Sequence, residues 1–234
     1  MIERYDTLII GASFFGCGMA SASKGRMLVL EEAILPGGDF VLSLNPGKDY
    51  DSSQFRTDAA RELYLRMREV NAISSEGRVS LAGISEIMAD WCLKNELPIF
   101  FGVGVVQRDE HRVVAVTAEG VKEFEAERIL DARPKAGDGK WFNAMITVQA
   151  GLPDCCIGPF AMRHSIIDGE CFLSFQVPVD SSWSDVRAMF HRAWDFRPSS
   201  LKNSTIMLTA TRFDFRQYAN PLLALDAGVL EAEQ

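Results

Sequence analysis

Apolar and polar positions follow several distinct rhythms along this chain. Tyr5-Asp6-Thr7-Leu8-Ile9-Ile10 is an apolar run closing on Gly11, the pattern of a strand covered on both faces. It passes through Gly11-Ala12-Ser13-Phe14-Phe15-Gly16 into a helix that the pattern carries to about Lys24. A second strand, Met27-Leu28-Val29-Leu30, follows and ends at Glu31-Glu32. Gly16, Gly18, Ala20 and Ala22 let the helix lie close to a sheet, so the chain opens as a βαβ unit.

Turn formers then recur from Leu35-Pro36-Gly37-Gly38 through Asn45-Pro46-Gly47 to about Thr57, which predicts a long loop region. Helical spacing returns over 58–70, with Ala59, Ala60, Leu63, Tyr64, Met67 and Val70 on one face. It appears again over 81–95, with Ile84, Ile87, Met88, Trp91 and Cys92. Between Pro98 and Ala132 the period changes to that of strands: Ile99-Phe100-Phe101, then 103–107, 113–117, 121–125 and 128–132. These predict a strand, a three-stranded antiparallel meander and a separate return strand. Beyond Lys140 the β-like stretches are 145–149, 171–179 and 205–215, with one helix at 184–194 behind a Ser182-x-x-Asp185 start that resembles a capping box.

Composition narrows the class. The 234 residues carry a net charge of -8 and 47% hydrophobic residues, enough for a core and too acidic for most nucleic-acid binders. No apolar run reaches the ~18 to 20 residues of a membrane helix, and the N-terminus does not open as a basic, apolar leader; the expectation is a cytoplasmic protein with no membrane partner. Cys17, Cys92, Cys155, Cys156 and Cys171 lack the repeated C-x-x-C spacing of a zinc site and read as reduced, mostly buried residues, Cys155-Cys156 included. No metal is expected.

The glycine turn carries the chemistry. A strand ending in such a turn before a helix points free N–H groups and the helix dipole at one spot, and a pyrophosphate is the natural occupant. Glu31 and Glu32, twenty residues after Gly11, stand where a carboxylate accepts ribose hydroxyls, and Glu31 there favours an adenosine without a 2'-phosphate. The usual G-x-G-x-x-G reads Gly-Ala-Ser-Phe-Phe-Gly here. Ser13 takes the second glycine's place, and its hydroxyl is itself a potential phosphate donor.

Residues 5–38 resemble the N-terminal segment of FAD-dependent oxidoreductases of the glutathione-reductase-like FAD/NAD(P)-binding class, with Gly37-Gly38 as a further match. Residues 81–132 are similar to that class's helix, strand, meander and return strand. The stretch 220–228 resembles its late strand, whose Gly-Asp element approaches the flavin phosphates. The resemblance implies an α/β fold: a Rossmann-like FAD/NAD(P)-binding domain with a β-meander, formed by 1–139 and 219–234, and an inserted β-rich α+β substrate or cap domain at 140–218. It implies cofactor contacts at Gly11, Ala12, Ser13, Phe15, Gly16, Glu31, Glu32, Gly38, Val105, Ala132, Arg133 and Asp226. The sequence departs from the class at Ser13, at Arg133-Pro134 in place of Thr-Gly, and at Leu225 before Asp226; Arg133 offers the pyrophosphate a positive charge instead. A further expectation is that the chain, ending at Gln234, carries only a stub of the helix that normally covers the flavin phosphates.

The leading function is an FAD-dependent oxidoreductase moving hydride between a small molecule and flavin, with NAD(P) as an electron donor. The alternative is a degenerate, non-catalytic relative acting as a binding or partner subunit, and a nicotinamide-only reductase ranks last. Homo-oligomerisation stays open. Arg163-His164, Asp168, Arg212 and Tyr218 are the polar residues expected to face a substrate, with His164 read first as a structural histidine and His111 and His191 as solvated. The aromatic wealth of the second half, Phe190 and Trp194 included, reads first as core.

Overall fold

The computed structural model describes residues 3–135, 137, 139–149 and 152–233. In chain order the elements are β1 (Glu3–Ile10), α1 (Phe14–Ala22), β2 (Met27–Glu31), the single-turn α2 (Gly38–Val41), α3 (Asp58–Glu69), α4 (Leu81–Lys94), β3 (Ile99–Phe101), β4 (Gly104–Arg108), β5 (Arg112–Thr117) and β6 (Gly120–Asp131). After these come β7 (Lys140–Thr147), β8 (Cys155–Ile157), β9 (Phe160–His164), β10 (Glu170–Val177), α5 (Trp183–Asp195), β11 (Ile206–Thr209) and α6 (Pro221–Ala232).

The first sheet has the order β3-β2-β1-β6-β5-β4. Its β3-β2-β1-β6 part is parallel, and its β6-β5-β4 part is the antiparallel meander. β1 is buried on both faces: Leu8 and Ile10 pack with Leu30, Val113 and Phe124, while Ile9 packs with Val29, Cys17 and Met88 under the helices. The expected third meander strand and return strand are one continuous β6. No turn former separates them, and the Ala126 N–H between them is carried by the His111 carbonyl at 3.0 Å.

The second sheet, β11-β7-β10-β9-β8, is antiparallel. α5 covers it with Val186, Phe190 and Trp194, and Phe190 meets the rings of Phe142, Phe160 and Phe175 at 5.0, 5.9 and 6.1 Å. The aromatic wealth of this half is therefore largely core. The strand expected over 205–215 is confined to β11, and β8 and β9, turned at Gly158, form a hairpin outside the expected β stretches. The loop of residues 42–50 ties the sheets together: Asn143 Nδ2 donates to the Ser43 carbonyl at 2.8 Å, and the Arg163 guanidinium to the Gly47 carbonyl.

The segment 220–228, expected as a late strand, is helix. Asn220 accepts the Leu223 amide at 2.9 Å as N-cap, and Pro221 sits at the first helical position, where its missing N–H costs nothing. α6 also replaces the expected stub, lying directly along α1. A Cβ on Gly18 would overlap the Leu225 carbonyl oxygen, and one on Gly228 the Phe15 carbonyl oxygen, so the two helices meet backbone to backbone. No helix among the described residues is long and apolar enough to cross a membrane.

Candidate functional site

The glycine turn sits at the C-terminal ends of β1, β2 and β6, where parallel sheets open a crevice. Gly11 has φ 101°, and a Cβ there would stand 2.9 Å from Arg133 Cγ and 3.1 Å from Arg133 N. A side chain is excluded both by the backbone conformation and by the neighbour. A Cβ on Gly16 would overlap the Gly11 carbonyl, so Gly16 sets how closely α1 approaches the strand rather than facing the crevice. Ser13 caps α1: its Oγ accepts the Gly16 amide at 3.0 Å and donates to the Ala132 carbonyl at 2.7 Å. The hydroxyl proton expected to serve a phosphate is thus directed at β6's end. The Phe14 ring is buried against Phe40, and Phe15 stacks on Tyr218 at 5.9 Å.

The acids divide the turn between them. Glu31 is 1% exposed, and its carboxylate accepts Ala12 N at 2.7 Å, Ala33 N at 2.7 Å and Arg212 Nη2 at 2.6 Å. A carboxylate has about four acceptor positions, and three are filled. The expectation that Glu31 grips a ribose is corrected accordingly, since it braces the turn from beneath. Glu32, one residue on, is exposed and lines the crevice. Asp39, which no motif singled out, accepts the Phe14 amide at 3.1 Å. Burial pushes its carboxyl up to about 7, with the Glu31 carboxylate adding to the rise and the Phe14 amide and Arg212 opposing it.

Two cavities of about 340 and 330 Å³ adjoin along this crevice, sharing Asp39, Arg133, Pro134 and Phe215. Each falls within the roughly 300–1,000 Å³ of small-molecule sites. The first is bounded by Ser13, Phe15, Ala132, Arg216 and Tyr218, the second by Gly11, Glu32, Val105, Trp183 and Arg212. Arg133 borders both, yet its Nε and Nη2 donate to Asp131 at 2.9 and 2.7 Å. Against the burial that would raise it, this pairing holds Asp131 below the usual carboxylate range.

Among the residues singled out from sequence, Gly11, Ser13, Phe15, Glu32, Val105, Ala132 and Arg133 border the cavities. Ala12, Gly16, Glu31 and Gly38 border neither cavity; a Cβ on Gly38 would stand 3.0 Å from Leu42 Cδ1 and 3.1 Å from Arg212 Nη1. Asp226 is a correction: it is 4% exposed, and its carboxylate accepts Arg56 N, Thr57 N and Thr57 Oγ1 at 3.0, 2.7 and 2.7 Å, anchoring the start of α3 away from the cavities. Of the expected substrate-facing residues, Arg212 and Tyr218 reach the crevice; Arg163, His164 and Asp168 border neither cavity. His164 pairs through Nε2 with the Leu152 carbonyl and through Nδ1 with the Cys171 thiol at 3.1 Å, and burial pushes that thiol up to about 12. This is a structural pair rather than an activated nucleophile. His111 and His191 are exposed, and the described residues hold no cluster able to bind a metal.

No protein-family model matches the sequence, and no curated protein matches it significantly. Solved structures do match. Over its full length the chain superposes on the p-nitrophenol 4-monooxygenase PnpA from Pseudomonas putida DLL-E4, with a TM-score of 0.56, 12% identity and 78% of that chain covered. It likewise superposes over its full length on a geranylgeranyl bacteriochlorophyll reductase-like protein (Ta0516) from Thermoplasma acidophilum, at 0.61, 10% and 78%. With the myxobacterial chondrochloren halogenase CndH, a variant of FAD-dependent halogenases, 91% of the chain aligns at a TM-score of 0.52 and 15% identity, spanning 64% of that protein. The fold is one used by FAD-binding oxidoreductases and monooxygenases, and it does not single out the glutathione-reductase-like branch.

Proposed function

We propose that this chain is an FAD-dependent oxidoreductase that transfers hydride between a small molecule and a flavin held in the crevice. One observation carries the reading: a side-chain-free turn at Gly11 opens, at the C-terminal ends of three parallel strands, onto two adjoining cavities divided by Arg133. The residues present fit the group, because Gly11 places bare backbone at the turn beside the Arg133 cation, and the exposed acid Glu32 lines the same cavity, free to meet ribose hydroxyls.

In this reading the cavity bounded by Glu32, Gly104 and Val105 takes the adenosine, and the one bounded by Phe15, Arg216 and Tyr218 takes the ring system. Bound flavin would supply the two-electron chemistry. The chain's own contributions are placement and charge. Glu31 and Arg212 fix the turn, Arg133 offsets phosphate charge at the junction, and the Phe15–Tyr218 stack gives a flat apolar wall. Residues 140–218 act as the cap that screens the second cavity from water. NAD(P) is the proposed electron donor.

Fluorescence titration tests this. Free FAD added to the purified protein should be quenched with saturation, and Gly11→Val should abolish saturation while the far-ultraviolet circular dichroism spectrum is retained. Unquenched FAD with the folded wild-type protein would refute the reading and favour a non-catalytic partner subunit.

A further inference from the structure

Building on that reading, we propose that the Asp39 carboxylate occupies the phosphate seat of the crevice and must be displaced or neutralised by an incoming diphosphate, so that the seat takes a dinucleotide together with a proton. The Phe14 amide at the head of α1 is the donor a phosphate oxygen needs, and Asp39 Oδ1 already accepts it at 3.1 Å. Asp39 borders both cavities, at the junction where a diphosphate linking an adenosine to a second ring would lie.

The two acids at the turn differ in how they are held. Glu31 accepts from two amides and a guanidinium, is 1% exposed and borders neither cavity. Asp39 accepts one hydrogen bond from outside its own helix and projects from the single-turn α2 behind Gly37-Gly38. A ligand can therefore move Asp39 and not Glu31. An ionised Asp39 beside a diphosphate would put two anions on one amide. Relief comes from protonation, with the proton taken from solvent.

The charged and titratable groups around Asp39 shape this coupling. Glu31 at the end of β2 disfavours its ionised form and Arg212 beyond β11 favours it; Glu32, Arg133 and Asp214 line the same cavities. Cys17 on α1, raised by its contact with Cys92 and by burial, and Tyr218, raised by burial, both stay protonated through the neutral range. Asp39 itself, pushed up to about 7, is the group that changes charge between pH 6 and 8.

The experiment is calorimetric or fluorimetric titration at pH 6 and pH 8 with two probes, FAD and ADP-ribose, whose diphosphate diesters keep constant charge over that range. The wild-type protein should bind each about tenfold more tightly at pH 6 than at pH 8, the linkage expected for one proton. Asp39→Asn, which keeps an acceptor for the Phe14 amide, and Asp39→Ser should bind equally at both pH values and about as tightly as the wild type at pH 6. Affinities that are independent of pH, or a pH dependence that survives in both variants, would overturn the proposal while leaving flavin binding intact. If ADP-ribose follows the expected pattern and FAD does not bind, the Asp39 proposal stands and the flavin reading falls. If neither probe binds any form of the protein, both fall.

Discussion

The two regions that flank the crevice are built on different principles. Around the glycine turn, main chain meets main chain: α1 lies against the Gly11 carbonyl at Gly16 and against α6 at Gly18 and Gly228, and the hydrogen-bonding groups are the backbone, Ser13, Glu31 and Asp39. In the second sheet, side chain meets side chain, with Phe142, Phe160 and Phe175 of the strands and Phe190 and Trp194 of α5 forming one ring cluster. A backbone contact tolerates no added atom, whereas a ring cluster tolerates exchange and suffers from deletion. The difference teaches where geometry is held and where stability is stored. The turn packs backbone against backbone, and the ring layer supplies apolar burial.

Truncating the ring layer is expected to have the largest effect on stability. Phe190→Ala removes a fully buried ring and should cost about 3–5 kcal/mol in denaturant unfolding. Phe190→Leu should recover much of that, and FAD affinity should change little once the protein is folded. Next comes Arg212→Met, which strands the buried Glu31 carboxylate without its cation; since Arg212 is partly solvated, a loss of about 2–3 kcal/mol is expected, at the lower edge of that for broken buried pairs. Here FAD quenching should weaken together with stability, because Glu31 holds the Ala12 amide. Equal FAD affinity in Arg212→Met and the wild type would erase the distinction between the two regions.

A smaller effect is expected at the helix pair. Gly228→Ala forces α6 off α1 and should cost about 1–3 kcal/mol, and FAD affinity should fall with it. The remaining effect is one of pH. The folded-state carboxyl of Asp39 is raised to about 7 from an unfolded value near 4, so the native state binds the extra proton between those values. Stability should fall as pH rises through that window and level off above it. Melting temperatures of wild type and Asp39→Asn should therefore diverge between pH 5 and pH 8, with the variant the more stable at pH 8; parallel curves would show that Asp39 titrates as an exposed acid.

The opening βαβ unit was legible because its signals are local. Thr7 to Ile10 is a short apolar run bounded by a glycine turn, the pattern of a doubly covered strand, and Gly11 and Gly16 are placed for close approach. α6 shows its signals too, with Asn220 as a cap and Pro221 as a first-turn residue, but the stretch 220–228, with Leu225-Asp226 at the Gly-Asp position, resembles a strand element. Asp226 then proved to anchor α3 through Thr57, a contact across 169 residues that no spacing discloses. The roles of Glu31 and Glu32 were hidden for a similar reason. Glu31 closes β2 while Glu32 lies one residue beyond it, and it is Glu31 that pairs with Arg212, 181 residues away. Asp39 follows the Gly37-Gly38 pair without a sequence signature of its own, since its partner, the Phe14 amide, belongs to the backbone.

The most direct measurement is the visible absorption spectrum of the protein after incubation with FAD and removal of unbound flavin by gel filtration at pH 6. The expected result is a retained flavin spectrum, close to one flavin per chain, that bleaches on anaerobic reduction and is absent in Gly11→Val. A folded wild-type protein that emerges colourless would contradict the assignment of the crevice to a flavin dinucleotide.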